Sequence, residues 1–214
     1  MRKHSFVAGE FYHVYSHSIG SLLLFQFRRD YERFLSVLFA ANGKRDISHL
    51  ERFSGLNLVW DIRDGKIDIG DALVDIIGFC VMPNHFHLLL GERADGNISK
   101  FLHRILVSYS KYFNLKYEKR GHVFESTFNS KHLSDNNYFL RALAYLHLNP
   151  KDIKGWRKKE HRYDWSSFQD YVGENRWGKL LKTDIALEYF DGNKAAHQAF
   201  IEEARPEIMD YELA

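Results

Sequence analysis

Met82-Pro83-Asn84-His85-Phe86-His87-Leu88-Leu89-Leu90 is the stretch that decides how the chain folds. Pro-Asn is turn chemistry, and the apolar run after it reads as a buried strand. Leu73 to Val81, just before it, is apolar and β-branched, so the two segments are expected to pair antiparallel. Alternate residues of a strand share a face. His85 and His87 therefore point one way, and Phe86 and Leu88 point the other way, toward a core. Two imidazoles side by side on a rigid strand can grip a divalent metal, but two donors make an incomplete site. Taken alone, the stretch also reads as two half-buried histidines satisfied by backbone or water.

Around this hairpin the other elements follow in order. Phe11 to His17 alternates and is rich in aromatic residues, as a first strand would be. After Asp30, Tyr31, Phe34, Leu35, Leu38 and Phe39 recur at the helical period, and Asn42-Gly43 ends the run. Residues 44–72 form an acidic insertion, with Asp64-Gly65 expected to turn a hairpin between Leu58–Ile62 and Lys66–Ile69. Asn97 is expected to cap a long helix whose apolar stripe runs from Ile98 to Tyr117 and ends near Arg120-Gly121. Lys100, Arg104, Lys111 and Lys116 lie off that stripe, where solvent or phosphate is expected to reach them. Val123 to Leu133 reads as extended, and Ser134-Asp135 caps a helix that Asn149-Pro150 stops. A basic loop over 151–162, an aromatic segment around Trp165 and acidic C-terminal helices complete the chain. The expected fold class is α+β: a ferredoxin-like antiparallel sheet with helices packed on one face, plus a C-terminal helical extension. The expected domains are 1–150 and, for the basic loop and helical extension, 151–214.

Composition narrows the function. Apolar residues at 45% and charged residues at 27% suit a soluble globular protein. No apolar run is long enough to span a bilayer, and Met1 to Ser5 lacks a signal peptide's apolar region. The single cysteine, Cys80, rules out a disulfide framework and makes a zinc-structured module a poor fit. A cytoplasmic protein without a membrane partner is expected. The net charge of +2 hides an asymmetry. Lys100 to Lys131 holds seven Lys or Arg against two Glu, a net of +5, and Lys151 to Arg162 holds six against two, a net of +4. Asp46 to Asp75 is net −4, and Thr183 to Ala214 is net −6. Basic patches of this kind suit a polyanion partner, although solvated helix faces would give the same pattern.

Tyr145 and Asn149 are four residues apart, so they lie on one strip of the 136–148 helix, which Arg141 extends. By itself this strip also reads as a helix-end amide and a half-buried aromatic.

Four elements together carry a resemblance: Met82-Pro83-Asn84-His85-Phe86-His87, Gly121-His122-Val123-Phe124, Tyr145-Leu146-His147-Leu148-Asn149-Pro150 and Trp165-Ser166-Ser167-Phe168. In order and spacing the chain resembles the REP-associated tyrosine transposases, of the wider HUH class of single-strand endonucleases and transposases. The resemblance runs from Phe11 to about Tyr171. It implies a metal-dependent single-stranded DNA endonuclease and strand transferase acting on DNA hairpins. Tyr145 would be the nucleophile, forming a 5′-phosphotyrosine link. His85, His87 and Asn149 would hold Mg²⁺ or Mn²⁺, with the amide oxygen as a hard third donor. Arg141, Arg104, Lys111, Lys116, Lys131, Lys151 and Lys154 are the candidate DNA contacts. Single-stranded or hairpin DNA is the expected partner, and the resemblance allows a monomer or a homodimer. Two positions depart from the family pattern: Tyr15, Ser16 and His17 follow the first strand's His13-Val14 where an arginine is usual, and Thr127 stands before Phe128 where another is common. The alternative function is a non-catalytic hairpin DNA- or RNA-binding protein of the same fold.

Overall fold

In the computed structural model the described residues are 5–45, 52–53, 55–125 and 127–209. Four antiparallel strands form the sheet: β1 (Phe11–His17), β2 (Val74–Met82), β3 (His85–Glu92) and β4 (Asn129–His132), in the order β2-β3-β1-β4. With α1 (Arg28–Ala40) between β1 and β2 and α3 (Asn97–Lys116) between β3 and β4, this is the expected ferredoxin-like plan. The short α2 (Asn57–Arg63) lies between α1 and β2. α4 (Asn136–Leu148), α5 (Phe168–Val172), α6 (Thr183–Leu187) and α7 (Lys194–Met209) follow the sheet.

Alternation along the strands assigns the two faces. Val14, Phe79, Val81, Phe86, Leu88 and Leu90 face one side and share a core with Phe34, Leu38, Phe101, Ile105 and Tyr109 of α1 and α3. The opposite face is also apolar where Ile77, Cys80, Met82 and Leu89 lie, and α4 covers it with Phe139, Leu143 and Leu146. Helices therefore pack on both faces, whereas the sequence reading expected one. The residues of the second face cannot stay in water, and α4 is what buries them. Gly78 allows the close approach: a Cβ built there would stand 2.9 Å from Leu143 Cδ1.

β2 is an edge strand, and the Trp-Ser-Ser segment covers its edge. Val81 N donates to Trp165 O at 2.9 Å and Ser167 N to Phe79 O at 2.9 Å. The Ser167 hydroxyl accepts from Phe79 N and lies 3.1 Å from His147 Nε2. One serine thus ties β2 to α4 between Tyr145 and Asn149. Trp165 stacks on Tyr31 at 4.7 Å, closing the aromatic segment onto α1.

Several local expectations need correcting. Leu58–Ile62 is not a strand but lies in α2, with Leu58, Val59 and Ile62 buried, and Asp64-Gly65 ends that helix. The spacing of those three apolar residues is helical, and the apparent hairpin turn is a helix stop. Residues 46–51 and 54 of the acidic stretch lie outside the described residues. Asn97 does not cap α3. Gly96 holds the N-cap position, the buried Glu92 carboxylate accepts from Ile98 N, and the Asn97 amide donates to Leu73 O. α3 stops at Lys116, ahead of Arg120-Gly121, because Glu118 turns into the left-handed region at φ 51°. Asp30 sits inside the first turn of α1, where it accepts from Phe27 N and Gln26 N. Asp135, by contrast, caps α4 as expected, accepting from Tyr138 N at 2.9 Å.

Candidate active site

The site is built on the sheet face that α4 covers. Register places His85 opposite His17, and His87 opposite Tyr15, so the histidines of β3 meet an aromatic row on β1. His17 and His85 stack with centroids 4.6 Å apart. The His85 and His87 rings are 4.9 Å apart and nearly perpendicular. Both side chains point to one face, as strand alternation requires.

α4 delivers the other half. Tyr145 is half-buried, with its ring centroid 5.4 Å from that of His87 and 6.0 Å from that of His13. Asn149, one turn later, is 4% exposed and brings its Oδ1 to 3.3 Å from His85 Nε2. Helix continuation into a 3₁₀ turn over Asn149–Asp152 keeps the amide on the Tyr145 strip.

The protonation of His85 explains what this convergence can do. Burial, followed by the neighbouring His17, lowers its pKa to about 4, so the ring is neutral at pH 7 and carries one N–H. Both ring nitrogens face amide oxygens: Nδ1 lies 2.8 Å from Asn84 Oδ1, and Nε2 lies 3.3 Å from Asn149 Oδ1. A single proton serves only one of them, and the shorter contact takes it. Two lone pairs, on His85 Nε2 and Asn149 Oδ1, are left facing each other. His87 Nε2 is buried with no hydrogen-bond partner. A divalent cation fits such a donor set: a free imidazole lone pair on His85 beside the hard amide oxygen of Asn149, and a buried orphan nitrogen on His87, whose ring centroid lies 4.9 Å from that of His85. Among the described residues no group of three or more His, Cys, Asp or Glu side chains is arranged to hold a metal. The third donor here is an amide.

Tyr145 is held protonated. Burial raises its pKa, against a hydrogen bond with Asn149 that pulls it back down. A nearby cation is the natural counterweight to that burial.

The candidate DNA contacts divide between the two faces. Lys131, on β4, pairs with His13 in register and therefore shares the face of the site. Lys151 and Lys154 come two and five residues after Asn149; Lys151 donates to Asp152, and Lys154 is exposed. Arg141 is exposed on α4, one turn before Tyr145. Arg104, Lys111 and Lys116 are on α3, across the sheet. Arg104 donates to the Gly43 carbonyl at 2.7 Å, Lys116 pairs with buried Asp30, and Lys111 is exposed.

Local sequence patterns do not single out His13, Tyr15 and His17, although the alternation of β1 puts them on one face. They are i, i+2 and i+4 on one strand, and only the pairing of β1 with β3 shows that this face adjoins His85 and His87.

Comparisons with known proteins bear on the family and the fold. Residues 69–149 match the family model described as "Transposase IS200 like", a span that holds His85, His87, Tyr145 and Asn149. A solved structure of a REP-associated tyrosine transposase bound to a REP hairpin matches over 80% of this chain and 84% of that chain. The TM-score is 0.56 and the identity 13%, so the likeness is one of fold. A search of curated proteins finds no match. The resemblance read from the sequence motifs thus recurs in a family match and in a fold match.

Proposed function

We propose that this chain is a transposase of the tyrosine type, cutting and rejoining single-stranded DNA beside a hairpin. One observation carries the reading: His85 Nε2 lies 3.3 Å from Asn149 Oδ1, and the His87 ring, whose Nε2 is unpartnered, lies 4.9 Å from the His85 ring and 5.4 Å from the Tyr145 ring. The family match over 69–149 and the hairpin bound to the fold neighbour support the substrate class.

In this reading His85, His87 and Asn149 would hold Mg²⁺ or Mn²⁺, which would supply Lewis-acid polarisation of the scissile phosphate and charge stabilisation for the departing 3′ oxygen. Tyr145 attacks the phosphorus, the bond to the 3′ oxygen breaks, and the 5′ phosphate stays on the phenol oxygen. The phenol gives up its proton, and the departing 3′ oxygen takes one up. Because one phosphodiester replaces another, the link keeps the energy of the broken bond, and a second 3′-hydroxyl can reverse the step without ATP. α4, clamped by Ser167, fixes Tyr145 and Asn149 one turn apart on the same strip. Lys131, Lys151, Lys154 and Arg141 border the site and suit the DNA backbone.

The test is cleavage of a single-stranded hairpin oligonucleotide with and without Mn²⁺, read on a denaturing gel. A metal-dependent covalent protein–DNA band is expected. Tight hairpin binding without that band would favour the non-catalytic alternative.

A further inference from the structure

One buried imidazole beside the proposed ligands has no role in the proposed reaction. His13 lies on β1, 1% exposed, on the same sheet face as His87 and diagonal to it. The two rings are nearly parallel, 18° apart with centroids at 5.1 Å, and His13 Nε2 lies 3.0 Å from His87 Nδ1. The outward nitrogens, His13 Nδ1 and His87 Nε2, are buried without a hydrogen-bond partner.

Two buried ring nitrogens 3.0 Å apart make one hydrogen bond, so a single proton lies between them; in an imidazole of this kind one nitrogen donates and the other accepts. It can sit in two ways. If His13 Nε2–H donates, His87 keeps its proton on Nε2, and that nitrogen cannot ligate a metal. If His87 Nδ1–H donates, the His87 Nε2 lone pair is free.

We propose that His13 is a positioning residue for His87: it accepts the His87 Nδ1 proton and so directs the His87 Nε2 lone pair into the cation site. This rests on the metal-dependent reading above. An unpartnered neutral histidine prefers to carry its proton on Nε2, the nitrogen needed here for the metal. An acceptor at Nδ1 reverses that preference, and it fixes the ring plane as well. Metal-ligating histidines usually donate their other N–H to a carboxylate, a carbonyl or water. In this chain a second histidine takes that place.

The experiment has two readouts on the full chain. In metal-free protein labelled with ¹⁵N-histidine, long-range ¹H–¹⁵N spectra should show His87 protonated at Nδ1; protonation at Nε2 would overturn the proposal. Calorimetric titration with Mn²⁺ should show binding weakened by about 10–100-fold in His13→Leu. His13→Gln, whose side-chain oxygen can accept the same proton, should recover most of that loss. Unchanged Mn²⁺ affinity in His13→Leu would also overturn it. Should His13→Leu fail to fold, the tautomer in the unaltered chain still decides. Absence of Mn²⁺ binding by the unaltered chain is a different result: it would sink the metal-dependent reading, while the tautomer would still report on His13.

Discussion

Asn149 Oδ1 lies 3.3 Å from His85 Nε2, joining the end of α4 to the first residue of β3. Neither atom has a proton to give the other once Asn84 has taken the His85 N–H. In the proposed function this pair would be half of a cation site, with His87 as the next donor.

Replacing both His85 and His87 by alanine should abolish Mn²⁺ binding by calorimetry and Mn²⁺-dependent cleavage. The fold should persist, because Phe86, Leu88 and Leu90 on the other face keep the core. Mn²⁺ binding that survives the double replacement would place the metal elsewhere.

Hairpin binding should weaken steeply between about 50 and 200 mM salt through counterion release. Lys131→Ala and Lys151→Ala, on the face of the site, should each reduce the slope of log K against log salt by about 1. Lys111→Ala, across the sheet on α3, should leave it unchanged. An equal effect from Lys111 would put the DNA on the wrong face for this account.

Stability should fall as the pH drops from about 6.5 toward 4. His13, His85, His87, His147 and His197 all have folded pKa values below the ordinary 6.5, chiefly through burial. Between the folded and unfolded values the unfolded chain binds more protons, so acid favours unfolding; above about 6.5 the effect is gone. At pH 5 each fully buried ring should cost on the order of 1–2 kcal/mol. Urea midpoints for metal-free protein at pH 7.5 and pH 5 test this, and equal midpoints would contradict it.

Ser167→Ala should destabilise the chain by about 1–3 kcal/mol, since it orphans His147 Nε2 and removes the acceptor of Phe79 N. Because the same serine ties α4 to β2, cleavage should suffer more than hairpin binding. Denaturant unfolding and a gel-shift assay on one preparation would show the split. Cleavage and binding reduced alike would remove the clamp from the account.

Much of this was legible in the residues. The strand hairpin at Met82–His87, the first strand, and the four-residue step from Tyr145 to Asn149 are local patterns, and they came out as read. Three things were not local. Leu58–Ile62 was read as strand because a short apolar run fits either period, and a Gly after Asp64 serves a hairpin and a helix end equally well. The positions of Arg104 and Lys116 depend on which sheet face α3 covers, which helical periodicity does not encode. The contribution of β1 depends on strand order: His13 and Tyr15 look unremarkable until β1 is laid against β3. Tyr15, 5.7 Å from His87 by ring centroid, is now a closer rival to Tyr145 than Tyr138 on α4.

The identity of the nucleophile is tested most directly by digesting the covalent protein–DNA adduct with trypsin and locating the nucleotide by mass spectrometry. Cleavage after Arg141 and Lys151 puts Tyr145 alone among tyrosines in the peptide 142–151, while Tyr15 and Tyr138 fall in other peptides. The account predicts that the added nucleotide mass lies on 142–151 and that Tyr145→Phe abolishes the adduct. A nucleotide on the peptide holding Tyr15 or on the one holding Tyr138, or an adduct that survives Tyr145→Phe, would contradict it.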